Sequence, residues 1–319
     1  MPLAYSLVER ELAQVTERLQ ALAHTEAPGL GAVLGQVLDN RGKLLRPTLC
    51  LTSGLFANYS TPLLVPMAAG VELLHTATLV HDDAIDHAET RRGQPTVSST
   101  WGDHTAVMVG DYLLACAAKL VASTHNLRVI DCFAETLRVL CDGEIRQELG
   151  AYQLGTSRDD YLQRITNKTA YLFATATECG AVLSAADEQT VQALRRYGTL
   201  LGTAFQMVDD ILDFTATPEQ LGKPAGSDLE QGTLTLPSIL FLEMGGSESI
   251  VRVAWDKQSS RQQVNDAVEA IRSSRAVAAS FEEARQLAVQ ARQCLDCLAD
   301  VPARRALEEL VDYVVQRPN

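Results

Sequence analysis

Residues 73–86 read LLHTATLVHDDAID, and residues 200–214 read LLGTAFQMVDDILDF. Each stretch closes an apolar run with the same acidic pattern, Asp82-Asp83-Ala84-Ile85-Asp86 in the first and Asp209-Asp210-Ile211-Leu212-Asp213 in the second. The apolar residues recur at helical spacing, so both patterns are read as the C-terminal ends of buried helices. On a helix, positions i and i+4 lie on one face about one turn apart. Asp82 and Asp86 therefore project together, as do Asp209 and Asp213, with Asp83 and Asp210 beside them. Like charges at that spacing repel, and the negative end of the helix dipole adds to the penalty. A solvated helix end explains one such motif. Two of them, each set in apolar sequence, call for a compensating cation. Ligands that are all carboxylate oxygen favour hard Mg²⁺ over zinc. Mg²⁺ takes one or two carboxylates and completes its shell with water and phosphate oxygens.

Cationic residues stand where phosphates would be needed. Arg91-Arg92-Gly93 follows the first motif, and Gly42-Lys43-Leu44-Leu45-Arg46-Pro47 precedes it. On a helix, Lys43 and Arg46 would share a face at i, i+3. Lys168-Thr169 falls inside the apolar stretch 161–183, and Lys223 follows Gly222. A lone Lys-x-x-Arg is ordinarily a solvated face; its occurrence together with two aspartate clusters points to anionic substrates. No GxxxxGK[ST] is present, so the phosphate site is not a P-loop.

Helical periodicity fills 6–23, 130–153, 157–184, 188–214, 264–271, 276–299 and 302–316, with no β-alternation bounded by hairpin turns. Pro and Gly punctuate the joints. The stretch 215–237 is long and rich in Gly, Pro, Ser and Thr, which predicts a functional loop of the lid kind. The expectation is one all-α domain over residues 1–319, with ten or more helices. At 319 residues and 46% hydrophobic content the chain can bury a large core. A net charge of −13 disfavours nucleic acid and anionic membranes as partners. Seven scattered cysteines, including an isolated Cys294-x-x-Cys297, read as reduced thiols of a cytoplasmic protein. The N-terminus shows no secretory h-region, and the apolar stretch 63–80, interrupted by Glu72 and His75, reads as a buried helix rather than a transmembrane segment.

These residues resemble the trans-isoprenyl diphosphate synthase family, the polyprenyl synthetases. The likeness rests on GKLLRP at 42–47, LLHTATLVHDDAIDHAETRRGQPTV at 73–97, GDYLLA at 110–115, NKTA at 167–170, FQMVDDILDF at 205–214 and GKPAGSDL at 222–229. It implies the isoprenoid synthase fold, a helical bundle around a deep central cavity, usually as a homodimer. It implies an enzyme that extends an allylic diphosphate primer with isopentenyl diphosphate. By the same resemblance, Asp82, Asp86 and Asp209 hold about three Mg²⁺ ions, with Asp83, Asp210 and Asp213 around them. Arg91, Lys168, Thr169, Gln206 and Lys223 would contact the allylic diphosphate. Gly42, Lys43, Arg46, His75 and Arg92 would hold isopentenyl diphosphate. Three positions depart from the family pattern: Arg41 replaces a glycine before Gly42, Leu44 stands where a basic residue is common, and Thr233 where lysine or asparagine is common. A class I terpene cyclase shares the first motif but needs no second diphosphate site. A non-catalytic subunit of a two-chain synthase would be expected to lose aspartates, and all six are present.

Product length is read from the helix below the first motif. In the resembling family a bulky aromatic five or four residues before the first aspartate stops growth; here Ala77 and Thr78 stand there. Leu73 and Leu74 lie one turn further down. A helical turn rises about 5.4 Å, close to one extended isoprene unit, so each turn of clearance admits about one more unit. The expectation is a long-chain product of C25 or longer.

Overall fold

The computed structural model describes residues 2–24, 28–39, 42–216, 225–256 and 258–316. Helices dominate them, as the periodicity predicts. They fall into two compact units interleaved along the chain. The first comprises Met1–Thr136, Leu172–Arg195 and Leu295–Leu310; the second comprises Leu137–Tyr171, Arg196–Cys294 and Val311–Asn319.

In the first unit, the helix Thr61–Ile85 carries the first aspartate motif. Pro62 sits in its first turn, where the missing N–H costs nothing. Every residue from Leu64 to Leu74 is buried, so this stretch has no solvent face. It packs against the helix Asp103–Ala122. Gly110 of that helix faces His81, and a Cβ at Gly110 would run into the imidazole. Both helices are long and apolar enough to cross a membrane, but 72% of the apolar window in Thr61–Ile85 is buried in protein, as in a core helix. In Asp103–Ala122 the buried share is only 33%.

The second unit is built around the C-terminal half of the helix Glu188–Thr215. Met207, Val208 and Phe214 pack there with Tyr161, Leu229 and Ile271. Phe214 is wholly enclosed, and its truncation to alanine would cost roughly 3–5 kcal/mol. The helix Arg158–Ile165 is started by a capping box: Asp160 N–H donates to Ser157 Oγ, and Ser157 N–H to Asp160 Oδ2. It runs into one π turn, Thr166–Ala170, and continues as the helix Tyr171–Leu183.

Two details differ from the sequence reading. A small hairpin does exist: Thr90–Arg91 pairs antiparallel with Gln94–Pro95. Its turn, Arg92-Gly93, has φ of 53° and 75°, the left-handed pair that matches strand twist. Two-residue strands are too short to alternate, so periodicity could not reveal them. The stretch 215–237, read as a loop, also holds regular structure among its described residues. Gly226 N–H donates to Asp213 O, and Ser227–Glu230 forms a short helix. Residues 217–224, with Gly222 and Lys223, lie outside the described residues, as does Arg41.

Candidate active site

The first motif ends its helix as the spacing predicts. Asp86 is the C-cap and its N–H donates to Asp82 O at 2.8 Å. Asp82 is partly buried and Asp86 exposed, one turn apart. Asp83 points inward and is buried. Burial pushes its pKa up, against the pull of Arg91, whose Nε donates to Asp83 Oδ1 at 2.7 Å. That ion pair ties the hairpin to the helix. Thr96 fastens the hairpin's other end by donating to Ala88 O at 2.6 Å. Gln36, on the helix Pro28–Asp39, adds a third tie: its amide donates to Pro95 O at 3.0 Å and accepts from Trp101 Nε1 at 2.9 Å.

The hairpin lines a pocket with Gly42, Glu72, His75, Asp83, Arg91 and Arg92. Gly42 gives the Arg92 guanidinium its room there, since a Cβ would stand 2.9 Å from it and push the arginine aside. Burial, then the charges of Arg46, Arg92 and Arg91, hold the His75 pKa well below the usual histidine range. His75 is thus a neutral imidazole in a cationic wall, able to donate one N–H without adding charge. Arg46 opens the helix Leu45–Gly54 and lies over the Phe173 ring, 4.8 Å from its centroid. Lys43 is exposed just before it. His81 is placed by its neighbour helix: Nε2 donates to Val107 O at 3.1 Å and lies 3.6 Å from Asp111. Below the motif, Leu73, Leu74 and Ala77 are fully buried, while Thr78 is partly exposed and donates to His75 O.

The second motif has a different setting. Asp209 is partly buried; Asp210 and Asp213 are buried. Asp210 accepts from Tyr161 Oη at 2.7 Å and from Gln206 Nε2 at 2.8 Å. Burial and the nearby Asp228 carboxylate push its pKa up to about 7, against these two donors. Asp213 accepts from Ser227 Oγ at 2.9 Å and from Asp228 N–H at 3.3 Å. Thr169, in the π turn, donates to Gln206 Oε1 at 2.7 Å. Lys168 Nζ lies 2.9 Å from Glu144 Oε2. A π turn inside a helix is a frequent mark of a functional position. Here it brings Lys168 and Thr169 into the same unit as Gln206 and Asp210.

Among the described residues no three His, Cys, Asp or Glu side chains form a ready-made metal cage. Mg²⁺ does not need one, since water and phosphate complete its shell. The donor chemistry, carboxylate oxygen throughout both motifs, fits that ion. Sequence reasoning missed Gln36, Glu144 and Tyr161. Each reads as an ordinary helix residue, and only the fold reveals its partner.

A polyprenyl synthetase family model matches residues 28–271. The chain is 36% identical to heptaprenyl diphosphate synthase component 2 of Geobacillus stearothermophilus, over 98% of each protein. It is 33% identical to the octaprenyl diphosphate synthase of Escherichia coli K12, over 88% of each. Its fold is similar to the crystal structure of a polyprenyl synthase from Caulobacter crescentus CB15 complexed with calcium and isoprenyl diphosphate. That likeness has a TM-score of 0.94 and 34% identity, and covers 99% of this chain and 97% of that one.

Proposed function

The chain belongs to the polyprenyl synthetase family and is a trans-prenyltransferase making long-chain polyprenyl diphosphates of C25 or longer; building on this, we propose that its two aspartate motifs and two cationic sets divide the work on two diphosphates. In this reading Asp82, Asp86 and Asp209 ligate Mg²⁺. When bound, Mg²⁺ neutralises charge growing on the diphosphate oxygens as they leave the allylic carbon. Asp83, Asp210 and Asp213 support the ligands rather than join them. Lys168 and Lys223 bind the allylic diphosphate, with Arg91, Thr169 and Gln206 beside it. Lys43, Arg46 and Arg92 bind isopentenyl diphosphate, while Gly42 leaves room for Arg92 and neutral His75 donates a hydrogen bond. The proton lost after condensation goes to the departing diphosphate, so no dedicated base is needed.

The observation that carries this reading is the arginine-bearing pocket wall of the first unit, on which Glu72 and Asp83 also stand. His75, Arg91 and Arg92 line it together with Gly42. A terpene cyclase has no use for such a second diphosphate site. The test is incubation of the purified chain with an allylic primer, labelled isopentenyl diphosphate and Mg²⁺, followed by chromatography of the dephosphorylated products. Linear products of C25 or longer are expected. Cyclised hydrocarbon, or no product without an added second chain, would overturn the reading. Ala77→Phe, at a fully buried position one turn before the first motif, should shorten products to about C15–C20, one unit being lost per blocked turn. Unchanged products would remove Ala77, Thr78, Leu73 and Leu74 from the length-setting role.

The same reading makes the 319 residues one folding domain, since the two units exchange the chain five times. It makes the enzyme a cytoplasmic homodimer. All seven cysteines are free thiols, as a reducing compartment allows. The helix Asp103–Ala122 exposes Val107, Met108 and Tyr112, an apolar row that a second copy would cover. Sedimentation of the wild type and of Met108→Lys tests this; an active wild-type monomer at micromolar concentration would rule it out.

A further inference from the structure

Asp210 is a fully enclosed carboxylate whose neighbours are mostly uncharged. Its two oxygens are met from opposite sides, Oδ2 by the Tyr161 hydroxyl at 2.7 Å and Oδ1 by the Gln206 amide at 2.8 Å. The directions of these bonds are fixed by a third. Thr169 donates its single hydroxyl proton to Gln206 Oε1 at 2.7 Å, which turns the Gln206 nitrogen toward Asp210. The Tyr161 hydroxyl donates on the other side, and the phenol keeps its proton because burial raises its pKa. The result is one polar chain: Thr169 to Gln206 to Asp210, closed by Tyr161. It links three segments, the helix Arg158–Ile165, the π turn Thr166–Ala170 and the helix bearing the second motif. The Tyr161 ring is buried in the apolar core with Met207 and Val208. Arg164, 5.5 Å from the ring centroid, covers it.

We infer that Tyr161 is a positioning residue for the second aspartate motif. Its hydroxyl, with the Thr169–Gln206 arm, holds Asp210 inward and out of the metal set. Asp209, about 100° further round the helix, is thereby the member of the adjacent pair that reaches Mg²⁺. Thr169 and Gln206 then act through Asp210, by bracing it, and any contact they make with the allylic diphosphate is secondary. The inference rests on the metal role proposed for Asp209. A carboxylate pair on consecutive residues can otherwise swap which member binds, at the cost of a misplaced ion, and a fixed outer shell prevents that swap.

The test uses the whole enzyme with inorganic diphosphate as the probe. Thermal stabilisation is followed as Mg²⁺ is titrated, alongside Michaelis constants for both substrates. Tyr161→Phe removes one oxygen and keeps the ring. It should raise the Mg²⁺ midpoint about tenfold, the range for losing an outer-shell partner, and raise the allylic KM while leaving the isopentenyl KM unchanged. Thr169→Val should shift the midpoint in the same direction, and Thr169→Ser should restore it. The double variant Tyr161→Phe with Asp210→Asn should match Asp210→Asn alone, since the hydroxyl acts only through that carboxylate. A Tyr161→Phe enzyme with wild-type midpoint and KM ratio overturns the inference, as do additive effects in the double variant. Should Tyr161→Phe fail to fold, the Thr169 pair decides by the same two outcomes. Wild-type protein that makes no prenyl chains sinks the proposed function instead, and the two failures are thus separable.

Discussion

The same five-residue pattern ends two helices, yet its middle aspartates live under opposite electrostatics. Around the first motif the partners are cations: Asp83 is paired with Arg91, and the adjoining pocket wall carries Arg92 and a neutral His75. Around the second they are neutral donors: Tyr161 and Gln206 meet Asp210, and Ser227 meets Asp213. A buried carboxylate needs either compensation or donors, and the two sites use one solution each. The difference shows in the pKa. Both middle aspartates are raised by burial; at Asp83 the pull of Arg91 outweighs the repulsion from Asp86, whereas at Asp210 the repulsion from Asp228 outweighs the pull of Arg164, and the pKa reaches about 7. Identical motifs therefore need not do identical work. The first adjoins a second anion site, while the second is braced by its own fold.

If the outer aspartates nonetheless share one task, removing either should be equally severe. Asp82→Ala and Asp209→Ala are each expected to lose activity on the order of 10³-fold, since stabilising the departing charge is the main barrier-lowering effect. Circular dichroism should show retained helix, because removing a crowded carboxylate relieves repulsion. A folded variant of either kind with near-normal turnover would break the parallel between the motifs.

The cations provide the next contrast. Lys43→Ala and Arg46→Ala, on the side of the first motif, should raise KM for isopentenyl diphosphate by about 10–100-fold, the cost of a charge-assisted hydrogen bond. Lys168→Ala, beside the second, should instead raise KM for the allylic primer. Steady-state kinetics with each substrate varied in turn gives the answer. Similar rises for both substrates in all three variants would contradict the division between the regions.

What was legible in the sequence follows the same line. Helical period and the acidic ends of Thr61–Ile85 and Glu188–Thr215 are local patterns, and the structure places them as read; Lys43 is different, because it precedes the helix Leu45–Gly54 behind a left-handed Leu44 and so does not share a helical face with Arg46. The partners were not legible. Tyr161 stands seven residues before Lys168 and reads as one more apolar helix position; that its hydroxyl reaches Asp210, 49 residues on, is a product of folding. Gln36 is separated by 59 residues from the carbonyl it holds. The hairpin escaped because its strands are two residues long, and the π turn because Thr166–Ala170 carries ordinary helix-compatible residues.

Gln36 gives a smaller effect confined to the first region. Gln36→Leu deletes the amide ties to Pro95 O and Trp101 but keeps the side chain's bulk. Of the two, only the Pro95 bond is made to the hairpin, and one such bond is worth about 1 kcal/mol, so isopentenyl KM should rise about fivefold with turnover and allylic KM little changed. An equal rise in both constants would show that the hairpin serves both substrates.

The mildest effect concerns stability and belongs to the cationic side alone. In the native protein His75 is held neutral by burial and by Arg46, Arg92 and Arg91. In the unfolded chain it titrates near the ordinary value of about 6.5. Below that pH the unfolded state takes a proton that the native state refuses, so unfolding becomes easier as pH falls. The contribution is complete above about pH 6.5 and is lost progressively as pH drops toward the depressed native value. Urea unfolding at pH 7.5 and pH 5.5 should therefore show a larger loss of stability for the wild type than for His75→Gln, which has no proton to take. Carboxylates titrating in both proteins cancel in that difference. The braced aspartates of the second region carry no such histidine, so the excess slope should vanish entirely in the variant. An identical slope in the two proteins would mean that His75 is protonated in the fold, and the neutral-donor role given to it would fall with that result.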